Sequence, residues 1–126
     1  MNTSSDKHTL TVTVSNIKTM EGTLEIGIFD SGHRFLEEGQ ALRSISIDVN
    51  NHTETFVVKN LPKGNYAVTL YHDENGNKEC DRNFMGIPKE PYAFSNNYRP
   101  RFSAPTFEDC AFELSADKSV QLELNN

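Results

Sequence analysis

The chain has 126 residues, of which 36% are hydrophobic and 24% charged, and 18 acidic against 12 basic side chains leave a formal net charge of −6. That length suits one domain around one core. The acidic balance argues against nucleic acid or an anionic membrane surface as partner, since both need clustered Lys and Arg, and no apolar run reaches the roughly 18 residues of a membrane-crossing helix.

Residues 1–8 are polar, lack the apolar core of a signal peptide, and are read as a disordered segment before a single domain over 9–126. They suit either a cytoplasmic protein or the linker behind a leader or lipid anchor that has been removed. Period-two alternation then dominates, the signature of half-buried strands. Leu10, Val12 and Val14 mark a first strand and Leu24, Ile26 and Ile28 a second, with Glu21-Gly22 as the expected hairpin turn. Ile45, Ile47 and Val49 mark a third, and Asn50-Asn51 supply turn chemistry before Phe56 and Val58. Pro62 and Gly64 punctuate the next turn, after which Tyr66, Val68 and Leu70 alternate. Cys110, Phe112 and Leu114 give one further strand, and Val120, Leu122 and Leu124 the last. About seven short strands predict an all-β, immunoglobulin-like or prealbumin-like sandwich.

Two segments break the rhythm. Residues 30–43 contain Phe35-Leu36-Glu37-Glu38, which suits one helical turn or a loop. Residues 73–107 show no sustained period, and an irregular stretch of that length inside a small domain is usually functional.

That second segment opens with His72-Asp73-Glu74-Asn75-Gly76-Asn77-Lys78-Glu79-Cys80-Asp81. Oxygen-bearing side chains stand at Asp73, Asn75, Asn77, Glu79 and Asp81, the alternation with which a curled loop collects the six to eight oxygens that Ca²⁺ prefers. An EF-hand does not fit, because Lys78 occupies the glycine position and Phe84 the closing Glu position. Zinc lacks a matched His or thiolate set. The same residues equally suit a solvated turn held by side-chain-to-backbone hydrogen bonds, so Ca²⁺ and a metal-free turn both stay open.

Further on, Tyr92, Phe94, Asn96, Asn97, Tyr98 and Arg101 combine aromatic faces with amide and guanidinium donors, the chemistry of a sugar- or peptide-binding surface. The alternative is a crossover that pins itself to the sandwich by its rings while Asn96 and Asn97 bond local backbone. An enzyme is the lesser reading. No nucleophile elbow, zincin or phosphate loop occurs, and His72 and Asp73 are neighbours that a strand sends to opposite faces. Glu79, Asp81 and Glu90 are the carboxylates from which a glycosidase pair would be drawn.

The string LPKGNYAVTLYHDENGNKECDRNFMGIPKEPYAFSNN, followed by Ala104-Pro105-Thr106-Phe107-Glu108-Asp109, resembles domain-of-unknown-function family 2141, over about Leu10 to Leu124. The resemblance implies an exported bacterial β-sandwich, periplasmic or extracellular, in the style of prealbumin-like and collagen-adhesin B-type modules. It assigns no catalytic residue. A non-catalytic binding or accessory domain is therefore expected, monomeric, with a protein or glycan partner and Ca²⁺ as the candidate cofactor. Cys80 and Cys110 depart from the family's usual aliphatic and small residues, which favours a disulfide particular to this chain without excluding two separate thiols.

Overall fold

The computed structural model describes residues 7–32, 35, 41–74, 91–100 and 105–125. Alternating side chains become strands wherever one face can be buried. Strand β1 (Lys7–Ser15) sends Leu10, Val12 and Val14 inward, and β2 (Thr23–Phe29) does the same with Leu24, Ile26 and Ile28. There follow β3 (Arg43–Asp48), β4 (Glu54–Pro62), β5 (Gly64–Asp73) and the short β6 (Tyr92–Phe94). A 3-10 turn (Ser95–Asn97), a single helical turn α1 (Phe107–Cys110), β7 (Phe112–Leu114) and β8 (Lys118–Glu123) complete the order.

The strands form two sheets. One has the order β4-β1-β8, with β1 antiparallel to β4 and parallel to β8. The other has the order β3-β2-β5-β6, all antiparallel, and β7 pairs with the first residues of β5. The main core lies between them, where Leu10, Val12, Val14, Val58 and Leu122 meet Leu24, Ile26, Ile28, Val68 and Leu70. This is the all-β sandwich expected, with eight strands among the described residues.

One expected connection is different. Glu21-Gly22 does not turn a hairpin, because β1 and β2 belong to opposite sheets. The corner crosses the sandwich, and so does the Asn50-Asn51 connection between β3 and β4. Alternation shows which face is buried but not which strand is the neighbour. The two crossings are tied together: Ile17 N–H donates to the His52 carbonyl at 3.1 Å, and His52 Nδ1 lies 2.6 Å from the Ile17 carbonyl. At the opposite end of the sandwich, Arg43 donates to the Lys59 and Asn60 carbonyls at 3.1 and 3.2 Å, joining β3 to β4 across the sheets.

A second cluster covers the outer face of the five-stranded sheet: Phe29, Phe35, Ala67, Phe94 and Cys110. Phe35 stands edge-on to both Phe29 and Phe107, with ring centres 5.5 and 6.0 Å away. Half of the 30–43 segment read as helical turn or loop, including Leu36-Glu37-Glu38, lies outside the described residues. Cys110 was expected to begin a strand. It instead ends α1, whose start is fixed by a reciprocal cap in which Thr106 Oγ1 accepts from Asp109 N–H and the Asp109 carboxylate accepts from Thr106 N–H. Cys110 is a free thiol and fully buried; Cys80 lies outside the described residues. Burial, and then the adjacent Asp109 carboxylate, pushes the Cys110 pKa up to about 12.

Two predictions follow from these contacts. The Tyr66 hydroxyl donates to the Pro62 carbonyl at 2.5 Å and pins the β4–β5 corner, so Tyr66→Phe should lower stability by about 1 kcal/mol in thermal melts. Cys110 should resist iodoacetamide at pH 8 in the native protein and react on denaturation, as read by peptide mass spectrometry. Its thiol titrates above the ordinary value of 9.0 when folded, so its contribution to stability is intact below about pH 9 and is lost as the pH rises through about 12.

Candidate functional site

Strand β5 ends at the candidate site. Its last two residues point to opposite faces, His72 toward the core and Asp73 outward, and both are buried, at 1% and 0% exposure. This is the alternation expected of neighbours on a strand. His72 Nε2 lies 2.7 Å from the Glu21 carbonyl, its backbone N–H donates to the Pro91 carbonyl at 2.8 Å, and its Nδ1 stands 3.9 Å from Glu74 Oε2.

Asp73 is in register with Thr23 and abuts Gly22. Asp73 is the one member of the expected cation set that is described. Asn75, Asn77, Glu79 and Asp81 lie outside the described residues, as do Glu90 and Arg101. Among the described residues no three His, Cys, Asp or Glu side chains converge as a metal group.

The electrostatics of this end are legible. The end of β5 faces the same way as the start of β2, the end of β3, the start of β4 and the end of β8. Glu21, Asp48, Glu54, Asp73, Glu74 and Glu123 therefore gather there, with Glu123 paired to Arg99 at 3.2 Å. Lys18 lies in the corner at the same end, and at the opposite end Lys7, Lys63 and Lys118 are interspersed with Asp30, Glu113 and Asp117.

The aromatic segment divides by role. Tyr92 is half-buried beside Tyr71 in the register and tilts against Phe94 with ring centres 5.4 Å apart. Phe94 belongs to the second core. Asn96 and Asn97 adopt left-handed backbone, φ 64° and 51°, which Asn tolerates better than most residues. Their side chains bond backbone distant in sequence: Asn96 Nδ2 donates to the Ala111 carbonyl at 2.9 Å, while Asn97 Oδ1 accepts from Glu123 N–H at 2.9 Å and its Nδ2 donates to the Gln121 carbonyl at 3.3 Å. Asn97 thus caps the outer edge of β8, as sheets require of an exposed edge. Tyr98 is half-buried, and burial, then the nearby Asp109 carboxylate, raises its phenol above the ordinary range. The Thr106 N–H is the main cause that holds that carboxyl below its ordinary range.

Some structural residues near this segment carried no sequence signal. Ser95 is buried, its Oγ accepting from Val68 N–H at 2.9 Å and donating to the Cys110 carbonyl at 2.5 Å. On the outer face of the same sheet, Glu25 Oε2 accepts from Thr23 Oγ1 at 2.6 Å and Ser46 Oγ at 2.5 Å, in register with Tyr71.

A two-sheet sandwich with this acidic end defines a β-rich domain of no assigned activity. The chain belongs to domain-of-unknown-function family 2141, described as an uncharacterized protein conserved in bacteria, whose model matches residues 12–123. No curated protein and no solved structure matches the chain.

Removal of the Ser95 hydroxyl strands a buried N–H and a buried carbonyl. Ser95→Ala should therefore cost about 3 kcal/mol in denaturant titrations, against near-neutral effects for surface serines.

Proposed function

We propose that this domain is an exported, non-catalytic binding or accessory module in which the segment opened by Asp73 holds Ca²⁺. Asp73 and Asp81 are its anionic ligands, and Asn75, Asn77 and Glu79 add oxygens. The observation that carries the reading is the position of Asp73. A carboxylate with 0% exposure stands at the head of an oxygen-rich segment, and buried charge is retained where hydrogen bonds, an opposite charge or a metal compensates its lost hydration. The acidic end supports the reading, because clustered carboxylates raise the local cation concentration.

The partner, a protein or glycan in the periplasm or outside the cell, meets the neighbouring aromatic segment. Tyr92 and Tyr98 keep partly exposed rings there, and Arg101 adds a cation, whereas Phe94, Asn96 and Asn97 serve mainly to hold the segment in place.

A metal-free interaction domain is the second reading, and a specific observation favours it. Carboxylates elsewhere in this fold serve backbone N–H groups: Glu54 Oε2 accepts from Asn50 and Asn51, and Asp117 Oδ1 from Thr9. Asp73 can play that role in its own turn.

Melting chelator-treated protein with and without millimolar Ca²⁺, with Mg²⁺ as control, separates the two. Calcium at 100 times its Kd adds about 2.7 kcal/mol, roughly 10 °C for a domain of this size. The shift should appear with Ca²⁺ and vanish in Asp81→Asn. Unchanged melting at saturating Ca²⁺ would establish the metal-free reading instead.

A further inference from the structure

The two sheets end in four strands, β4 and β8 on one and β3 and β6 on the other. Sheet edges are normally capped, covered or charged, because their open N–H and C=O groups template another strand. Asn97 caps β8 at Gln121 and Glu123. Strand β6 is three residues long, and Tyr92 exchanges both its backbone bonds with Asn125. The exposed side chains of β3 are Ser44, Ser46 and Asp48, so its outer face offers no apolar contact.

Strand β4 differs. The Ser15 carbonyl accepts from Leu124 N–H at 3.0 Å, so Ser15, and with it Thr13 and Thr11, turns its backbone toward β8. Leu10, Val12 and Val14 therefore bond Val58, Phe56 and Glu54. That leaves the N–H and C=O groups of Thr55, Val57 and Lys59 on the free edge of β4. Among the described residues, Arg43 reaches this edge at one end, through the Lys59 and Asn60 carbonyls. On the outer face Val57 is 50% exposed, more than any other large hydrophobic side chain among the described residues.

We infer that the free edge of β4 takes β4 of a second copy of this chain, antiparallel about a two-fold axis through Val57. Val57 then faces Val57 of the second copy, Thr55 faces Lys59 of the second copy, and Phe56 faces Val58 of the second copy. Self-complementarity selects both the occupant and the register. Apolar meets apolar and no like charges stand opposite, whereas an axis through Lys59 sets two lysines face to face. Antiparallel pairing also keeps the two acidic ends apart, at opposite ends of the joined sheet. A carbonyl has two lone pairs, so Arg43 keeps its hold on Lys59. The order β4-β1-β8 is thereby doubled into one continuous sheet. This pairing departs from the monomer expected from the sequence and does not rest on the calcium reading.

The contact is small, below the roughly 1,200 Å² of stable interfaces, so the full chain is followed by sedimentation equilibrium from about 10 µM to about 1 mM. Its mass should climb from 14.2 kDa toward twice that value. Val57→Pro removes an N–H from the free edge and none from the β1–β4 ladder. It should stay monomeric throughout, with unchanged far-UV circular dichroism. Val57→Lys sets like charges on the axis and should do the same. In a Cys80→Ser background, Val57→Cys should cross-link into dimers about tenfold faster than Thr55→Cys, whose two copies lie about 13 Å apart along the strands.

A wild-type chain that stays monomeric at about 1 mM overturns the inference. So does a dimer that persists in folded Val57→Pro or in Val57→Lys, since the contact then lies on another surface. Equal cross-linking of the two cysteine variants overturns it as well, because the axis is then not at Val57. Should Val57→Pro fail to fold, Val57→Lys and the cross-linking carry the decision.

Discussion

The constraint on which the structure depends is the second edge of β5. This ten-residue strand is buried along most of its length, so each of its backbone polar groups needs a partner. Its first edge pairs with β2 from Ala67 to Asp73. Its second edge is satisfied piecewise: by β7 at Gly64–Tyr66, by the Ser95 hydroxyl at Val68, by β6 at Thr69–Tyr71 and by the Pro91 carbonyl at His72. Four separate devices do what one long strand would do elsewhere.

That patchwork explains the organisation of the outer face. A chain that reaches β5 only through three-residue strands needs other anchors, and the second core of Phe29, Phe35, Ala67, Phe94 and Cys110 provides them. The left-handed backbone at Asn96 and Asn97 turns the chain off the sheet just after Ser95 has filled its gap in the ladder. The same turn sends one amide toward α1 and the other to the free edge of β8. Sealing β5, closing β8 and covering the outer face are consequently one construction, and substitutions within it should couple rather than add.

Much of this was readable in advance, and the limit has a physical cause. The inward sets of β1, β2, β4 and β5 stand out because alternation records burial directly. Strand pairing does not, since the inward residues of either sheet look alike; hence Gly22 read as a hairpin turn although its φ of +75° serves a crossing between sheets. The Cys110-Phe112-Leu114 alternation ran across the end of α1, where the Thr106–Asp109 spacing was the better signal. Ser95 carried none, for a lone serine looks the same in a loop and in a sheet gap. Of the expected cation set, the burial of Asp73 is what the described residues add. For the aromatic segment the crossover alternative foresaw the pinning by rings, but it expected Asn96 and Asn97 to bond local backbone, and their targets thirteen or more residues away follow only from topology.

Net charge taught the opposite lesson, because averaging hid a polarity. A value of −6 describes no face of the molecule. Strand pairing folds the chain back so that residues far apart in sequence, Glu21, Asp48, Glu54, Glu74 and Glu123, share the end where β5 runs out with Lys18, while at the other end Lys7, Lys63 and Lys118 are interspersed with Asp30, Glu113 and Asp117. Like charges on one end repel most where no counter-charge is near, and here Arg99 pairs with Glu123 at 3.2 Å. Charge distribution is thus a property of the topology, since strand order and direction, rather than composition, decide which carboxylates become neighbours of the buried Asp73.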